Sequence, residues 1–179
     1  MPDCFEAFVG VGSNVDPERN ILSALPGIQS QMEVVSTSRF YRNPAFSPDR
    51  NDLPPFVNGV LKIHTNHAPW ELKYRVLREI EGRFRRRRGE NRYFPRTLDL
   101  DLLVYGDLDV HVDGLILPDP DISVQAFWAI PLAELVPGFT PPGSRLSMEE
   151  IVRTLDARTM VCLESFTAEV RRVLRIAPA

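Results

Sequence analysis

The spacing of apolar residues along the chain predicts alternating strands and helices. Residues 5–11, 34–42 and 56–64 are apolar, β-branched or aromatic, as is typical of strands. Apolar residues at helical spacing follow Asp16-Pro17, where we expect Asp16 as N-cap, and they recur after Pro69. A fourth strand begins near Thr97. The order β-α-β-β-α-β predicts an α+β fold with a ferredoxin-like core.

Further elements are predicted beyond this core. They are a short strand near residues 108–111, an apolar segment at 127–135 and a helix that begins at Ser147. We expect one domain over residues 1–156 and a C-terminal extension over residues 157–179, which contains a short strand and a helix and is packed on the domain or trailing from it. Trp70 and Trp128 are predicted to be core residues.

The fourth strand carries two carboxylates on one face. Because side chains alternate along a strand, Asp99 and Asp101 share a face, roughly 6–7 Å apart at their roots. Two hard oxygen ligands suit Mg²⁺. Seven arginines lie between Arg83 and Arg96 and are expected to hold an anion that the metal carries. The pattern favours polyphosphate chemistry, although a solvated arginine loop, a nucleic-acid patch and a water-facing acidic edge strand are alternatives.

Composition limits the class of protein to which this chain can belong. The 179 residues carry a net charge of −3, so the arginine density is local. No apolar run reaches the ~18 residues that a membrane span needs, and nothing resembles a signal peptide. The two cysteines, Cys4 and Cys162, have no metal-binding spacing and are expected as free thiols in a cytoplasmic protein.

Short motifs of this chain resemble those of one family. The run Pro-Arg-Thr-Leu-Asp-Leu-Asp at 95–101 closely resembles the signature of 6-hydroxymethyl-7,8-dihydropterin pyrophosphokinases. Gly-Ser-Asn at 12–14, Phe-Tyr-Arg-Asn-Pro at 40–44 and Phe-Val-Asn at 56–58 are similar to other motifs of that family, and so is the spacing of Glu81, Arg86 and Arg88. The similarity covers roughly residues 5–155.

The resemblance implies a reaction and a set of site residues. ATP would donate its β,γ-pyrophosphoryl unit to the pterin hydroxymethyl oxygen and leave as AMP. Asp99 and Asp101 would bind two Mg²⁺ ions, and the catalytic residues would be Arg86, Arg96, Asp99 and Asp101. ATP would be bound by Glu81, Arg86, Arg88, Arg96 and Leu100. The pterin would be bound by Asn43, Pro44, Phe46, Phe56, Asn58 and Phe127. The expected partners are these small molecules, with no nucleic acid and no membrane, and the chain is expected to be a monomer.

Three departures from the family pattern leave alternatives open. Asp119 replaces a histidine, Gln125 an arginine, and Gly114 stands where a basic residue is common. A paralogue that binds the pterin but has weakened, lost or altered transferase activity is therefore one alternative. An RNA-binding module is a second, because a ferredoxin-like sheet with a basic loop is also the RRM plan. Asp99 and Asp101 argue against it, since they occupy the strand that would carry its aromatic residues.

Overall fold

A computed structural model describes residues 4–45, 53–84, 96–112 and 114–177. The strands are β1 (Phe5–Ser13), β2 (Glu33–Thr37), β3 (Tyr41–Asn43), β4 (Phe56–Thr65), β5 (Asp99–Tyr105), β6 (Val110–Val112), β7 (Leu115–Leu117) and β8 (Val161–Cys162). The α-helices are α1 (Pro17–Gln29), α2 (Pro69–Glu71), α3 (Leu77–Arg83), α4 (Ala126–Leu135), α5 (Met148–Thr154) and α6 (Glu164–Leu174). A π-helical turn, Leu72–Val76, joins α2 to α3, and a 3₁₀ turn, Pro120–Ser123, precedes α4.

One antiparallel sheet organises the chain. Its strand order is β5-β1-β4-β3-β8, and β2 also pairs with β4. The predicted α+β class and ferredoxin-like core are confirmed. The single strand predicted over residues 34–42 is wrong in detail, because β2 and β3 pair with different parts of β4. Ser38 lies between them, and its hydroxyl accepts a hydrogen bond from Val60 N at 2.9 Å, which replaces a regular ladder bond.

The sheet is covered on both faces. The first face packs against α1, α3 and α6 through a cluster that includes Val9, Val11, Leu61, Ile80, Leu100, Leu102 and Val170. The second face packs against α4 and α5 through Phe8, Val60, Leu103, Val104, Trp128, Leu132 and Ile151. Apolar side chains therefore alternate between two cores along the central strands, as the pleat requires. Among the residues described, no helix is long and apolar enough to span a membrane.

Two helix starts differ in how they are capped. Helix α1 begins at Pro17 as predicted, but Asp16 adopts a left-handed conformation (φ 39°) and its side chain makes no capping bond. Asp16 is the N-cap residue, as expected, and its carbonyl accepts the first helical bond, from Asn20 N at 3.0 Å, but its carboxylate does not take part in the cap. Helix α5 follows Ser147 with a capping box, in which Ser147 and Glu150 bond each other's backbone N–H groups.

The two tryptophans have opposite environments. Trp128 is 5% exposed and belongs to the second-face core, as predicted. Trp70 is 52% exposed, so its prediction as a core residue is wrong. It lies at the start of α2 and stacks on Tyr74 one turn later, with ring centroids 4.3 Å apart. The apolar residues that follow it, Leu72, Val76, Leu77 and Ile80, are in the first-face core, and the Trp70 ring lies outside that core.

The tail after Asp156 joins the sheet and its first-face core. Strand β8 pairs with β3, and helix α6 buries Phe166, Val170 and Leu174. The C-terminal elements predicted from sequence are therefore confirmed as a strand and a helix. The domain boundary at 156 stays a prediction.

Candidate active site

A row of cross-strand neighbours runs through the second face of the sheet. Asp99 on β5 pairs with Gly12 on β1, Gly12 with Asn58 on β4, and Asn58 with Tyr41 on β3. Paired residues present their side chains on the same face, and adjacent strands are 4.7–4.9 Å apart, so Asp99 and Asn58 lie about 10 Å apart at their roots. A predicted metal ligand and a predicted pterin-binding residue thus flank one glycine.

Gly12 makes room for this arrangement. A Cβ atom at this position would lie 2.5 Å from Asn58 Oδ1 and 3.9 Å from Asp99 Cβ. The first distance is below any normal contact, so a side chain at position 12 would displace the Asn58 amide. The sequence placed this glycine in a motif of the resembled family without indicating its role, because that role depends on a strand 46 residues further along.

The acidic pair is placed as the alternation predicted. Asp99 is buried and Asp101 is half-buried on the same face, opposite Gly12 and Gly10. The Arg96 guanidinium contacts Asp99 Oδ2. No cluster of three or more His, Cys, Asp or Glu occurs among the described residues. Two carboxylates nevertheless fit Mg²⁺, which usually takes one or two from the protein and completes its shell with water and phosphate oxygens.

The turn after β1 fixes the backbone just before the acidic pair. Ser13 Oγ donates to Thr97 O at 2.8 Å, and Asn14 N donates to Arg96 O at 3.0 Å. Asn14 Oδ1 accepts from Arg96 N at 2.6 Å. Both side chains are buried, so these bonds are shielded from water. The family resemblance included Gly-Ser-Asn at 12–14 but did not predict these bonds, and the residues themselves showed only a polar pair at the end of a buried strand.

Glu81 is buried rather than a surface charge. It is 1% exposed on α3, and its Oε1 accepts a hydrogen bond from Leu100 N at 2.9 Å. Leu100 itself lies in the first-face core. Two of the five residues predicted to bind ATP are therefore in direct contact at β5, the end strand of the sheet.

The predicted pterin residues converge around an amide pair. Asn58 Nδ2 donates to Asn43 Oδ1 at 2.7 Å, and Asn43 Nδ2 donates to Pro44 O at 3.0 Å. Phe56 pairs with Asn43 across β4 and β3, so it shares their face. Asn43 and Asn58 are both buried. The interlocked amides leave a fixed orientation for the remaining donor and acceptor atoms of Asn58.

Helix α4 brings the predicted stacking residue to the same face. Phe127 is half-buried and lies 5.2 Å from Trp128, edge to face. Trp128 covers Gly10, where a Cβ atom would be 2.7 Å from the indole. Since Gly10 pairs with Asp101, this indole lies over the strand beside the acidic pair.

The far end of α4 is tied to β3. Glu134 accepts hydrogen bonds from Arg39 N at 2.7 Å, from Arg39 Nε at 2.9 Å and from the Tyr41 hydroxyl. Burial raises the pKa of Tyr41, and the bond to Glu134 raises it further, so the phenol stays protonated at neutral pH.

The departures at Asp119 and Gly114 have local structural reasons, whereas Gln125 contributes only its backbone to the start of α4. Asp119 Oδ1 accepts from Asp121 N at 2.9 Å and caps the 3₁₀ turn. Gln125 is the N-cap residue of α4, and its carbonyl accepts from Trp128 N and Ala129 N. Gly114 has φ +81°, a conformation that favours glycine, in the turn between β6 and β7.

Three predicted site residues, Phe46, Arg86 and Arg88, lie outside the described residues. Of the others, the structure brings Asp99, Asp101 and Arg96 together, Glu81 with Leu100, and Asn43, Pro44, Phe56 and Asn58 around one amide pair. Their roles toward a ligand stay predictions.

Comparison with known proteins identifies relatives along most of the chain. The family model described as 7,8-dihydro-6-hydroxymethylpterin-pyrophosphokinase (HPPK) matches residues 8–137. The chain is 34% identical over 159 residues to the 2-amino-4-hydroxy-6-hydroxymethyldihydropteridine pyrophosphokinase of Synechocystis, with 86% of this chain and 77% of that protein covered. It is 33% identical over 155 residues to the protein of the same name from Haemophilus influenzae, with 84% and 93% covered.

Solved structures support the fold. The chain matches a Plasmodium falciparum HPPK-DHPS structure with a TM-score of 0.69 at 10% identity. The wild-type HPPK-DHPS of the same organism, solved with pteroate, matches with a TM-score of 0.65 at 11% identity. Each match covers 86% of this chain, which spans less than half of those longer chains, 46% and 43%. At this identity the likeness concerns the fold.

Proposed function

Because this chain belongs to the 7,8-dihydro-6-hydroxymethylpterin-pyrophosphokinase family, we propose that it transfers pyrophosphate from ATP to 6-hydroxymethyl-7,8-dihydropterin. The products are AMP and the pterin pyrophosphate. The observation that carries the proposal is the row through Gly12, in which a buried carboxylate and a buried, oriented amide lie two strands apart on one face. That spacing suits two substrates whose reacting groups meet between them.

The reaction exchanges one phosphorus–oxygen bond for another. The pterin hydroxymethyl oxygen bonds to the β-phosphorus of ATP, the bond between that phosphorus and the α,β-bridging oxygen breaks, and AMP leaves with the bridging oxygen. The hydroxyl proton is released to solvent. Chemistry of this kind requires positioning and charge neutralisation more than covalent catalysis by the protein.

The nucleotide side is assigned to β5 and α3. Asp99 and Asp101 would bind Mg²⁺, two ions by the family resemblance, and this metal, when bound, neutralises triphosphate charge. Arg96 lies beside Asp99 and would contact phosphate oxygens in bidentate fashion. Glu81 and Leu100 are assigned to ATP by the family resemblance alone, since Glu81 is buried and the Leu100 side chain lies on the face opposite the acidic pair. Arg86 and Arg88 are assigned to ATP by their position in the family motif alone.

The pterin side is assigned to β3, β4 and α4. Asn58 would read the donor–acceptor edge of the pterin ring, and Asn43 would keep its amide from rotating. Pro44, Phe46, Phe56 and Phe127 would supply apolar walls, since a flat heterocycle is bound well between such surfaces. We expect a cytoplasmic monomer with small-molecule partners and no nucleic-acid ligand.

An AMP-release assay with ATP, Mg²⁺ and the hydroxymethylpterin tests the proposal. We expect pterin-dependent AMP formation, which stops when the metal is chelated. Asn58→Ala should weaken pterin binding by at least about tenfold, because the ring edge loses its partner, and should leave ATP binding nearly unchanged. Asn20→Ala, which removes an amide bonded to Val15 O at the start of α1, is the matched control.

The same assay decides between enzyme and paralogue. Pterin binding measured by calorimetry without AMP release would assign the chain to the pterin-binding alternative. Equal losses of pterin and ATP affinity in Asn58→Ala would contradict the role of that amide.

A further inference from the structure

We propose that Thr167, on the C-terminal helix α6, is a positioning residue for the pterin substrate. It holds Phe40, and through Phe40 it holds β3, whose Asn43 orients Asn58. The inference rests on the proposed function, because only there does Asn58 read a pterin. Thr167 lies beyond residues 8–137, which the family model matches.

The backbone of Phe40 is bonded to the tail instead of to the sheet. Phe40 follows the interruption between β2 and β3. Its N–H donates to Thr167 Oγ1 at 2.9 Å, and its carbonyl accepts from Leu163 N at 2.8 Å. The Thr167 hydroxyl in turn donates to Leu163 O at 2.9 Å. Thr167 is 1% exposed, so water does not compete for these bonds.

The side chain of Phe40 transmits this position to β4. The ring is fully buried against Gly59, where a Cβ atom would lie 2.7 Å from it. Phe166 of α6 packs edge-on against the same ring, with centroids 5.3 Å apart and planes at 78°. Helix α6 therefore packs Phe40 against the backbone of Gly59, the residue next to Asn58.

Strand β3 is short, and the bond of the Phe40 N–H lies directly before its first residue, Tyr41, whose hydroxyl is bonded to Glu134. The strand has three residues, of which Tyr41 pairs with both Asn58 and Cys162. Asn43, two residues on, makes the amide bond to Asn58. If the Phe40 N–H loses its acceptor, β3 can shift and the amide pair loses its fixed orientation. Asp99 is part of β5, and Glu81 is bonded to β5, the strand at the other end of the sheet, so both should be unaffected.

The test compares two buried threonines whose hydroxyls accept a backbone N–H. Thr167→Val removes the acceptor for Phe40 with little change of shape, and Thr167→Ser keeps it. Thr65→Val is the matched control, because Thr65 is 3% exposed and its Oγ1 accepts from His67 N at 3.1 Å. Thr65 is seven residues along β4 from Asn58, which is about 23 Å.

We expect Thr167→Val to raise the pterin dissociation constant about tenfold, as measured by calorimetry, and to leave that of ATP within about twofold. Thr167→Ser and Thr65→Val should bind both ligands within about twofold of the wild type. Amide hydrogen exchange of the free chain should quicken at Tyr41–Asn43 in Thr167→Val and not in Thr65→Val. If Thr167→Val does not fold, Phe166→Leu, which loosens the contact with Phe40, should show the same selective loss.

Three results would overturn the proposal: unchanged pterin affinity in Thr167→Val, an equal loss of ATP affinity, or an equal loss of pterin affinity in Thr65→Val. A wild-type chain that binds ATP but no pterin would remove the proposed function and this inference together. Wild-type pterin binding that Thr167→Val leaves intact would remove this inference alone.

Discussion

Two neighbouring rows of paired residues on the second face of the sheet each contain a glycine that lets another side chain approach the backbone closely. In the first, Gly10 lies between Asp101 and Val60, and Trp128 fills the space above it. In the second, Gly12 lies between Asp99 and Asn58, whose amide fills the space. A Cβ atom would clash in both rows, at 2.7 Å and 2.5 Å. The glycine thus allows a tight core contact with Trp128 in one row and a close approach of the Asn58 amide in the candidate site in the next.

The comparison also shows how the site is supported. The indole over Gly10 belongs to a core that includes Phe8, Val60 and Leu132, so the row beside the site is packed like any interior. The row through Gly12 instead contains a carboxylate and an amide that are buried and bonded. We infer that the apolar row holds the polar row rigid, so substitutions in the two rows should have different effects on stability and on binding.

The largest expected effect is at the acidic pair, where both rows contribute a carboxylate. Asp101→Ala should reduce AMP formation by about three powers of ten or more, because losing a metal ligand removes several kcal/mol of transition-state stabilisation. The unfolding midpoint should change little. Asp109→Ala, which removes an exposed acid after β5, is the control. Turnover of Asp101→Ala near that of the control would exclude Asp101 as a ligand.

The second effect is at Gly12. Gly12→Ala should weaken pterin binding by about tenfold to a hundredfold, because the new methyl group displaces an amide that loses its bonds to the ring and to Asn43. ATP affinity should fall less, since the methyl group is 3.9 Å from Asp99 Cβ, an ordinary contact. Calorimetry with each ligand measures the difference. Unchanged pterin affinity would mean that Asn58 does not contact the pterin.

The third effect, at Gly10, should fall on stability. Gly10→Ala places a methyl group 2.7 Å from the Trp128 ring, and overpacking of this kind costs about 1–3 kcal/mol in the free energy of unfolding. Pterin affinity should stay within about threefold, because the indole rather than Asn58 must move. Denaturant unfolding and calorimetry on the same protein measure both quantities. A pterin loss as large as that of Gly12→Ala would show that the two rows act as one site.

The sequence predicted those parts of the molecule that depend on local patterns. Alternation along residues 97–105 placed Leu100 and Leu102 in the first-face core and the two aspartates on the other face. It did not predict the break at Ser38, because a serine hydroxyl that replaces a ladder bond looks like any strand serine. Local propensity correctly placed Asp16 at the N-cap of α1, but did not predict its left-handed backbone or the absence of a side-chain capping bond.

Local sequence patterns did not predict the long-range contacts in the candidate site. The bond from Leu100 N to Glu81 joins residues 19 apart, and those from Asn14 to Arg96 join residues 82 apart. Family resemblance named Glu81, Asn58 and Arg96, but not the burial of Glu81 or the bonds that orient Asn58. Such contacts follow from which strands are neighbours, which the order of elements along the chain leaves open.

The smallest effect concerns the departures at Asp119 and Gln125, which precede the helix that carries Trp128. Asp119→His removes the cap of the 3₁₀ turn and should cost about 1 kcal/mol of stability, so the charge is better restored at position 125. A guanidinium roughly 10 Å from a triphosphate charge, at an effective dielectric near 20, contributes about 1–2 kcal/mol. Gln125→Arg should therefore lower the ATP dissociation constant by about fivefold to thirtyfold at low salt. The gain should shrink at 0.5 M salt, where the Debye length is about 4 Å.

Gln31→Arg is the control. It lies in the turn after α1, adds the same charge near the end of β4 away from Asn58, and should leave ATP affinity unchanged. An equal gain in Gln31→Arg would show that net charge alone attracts the nucleotide. No gain in Gln125→Arg would show that other cations already supply the missing contact.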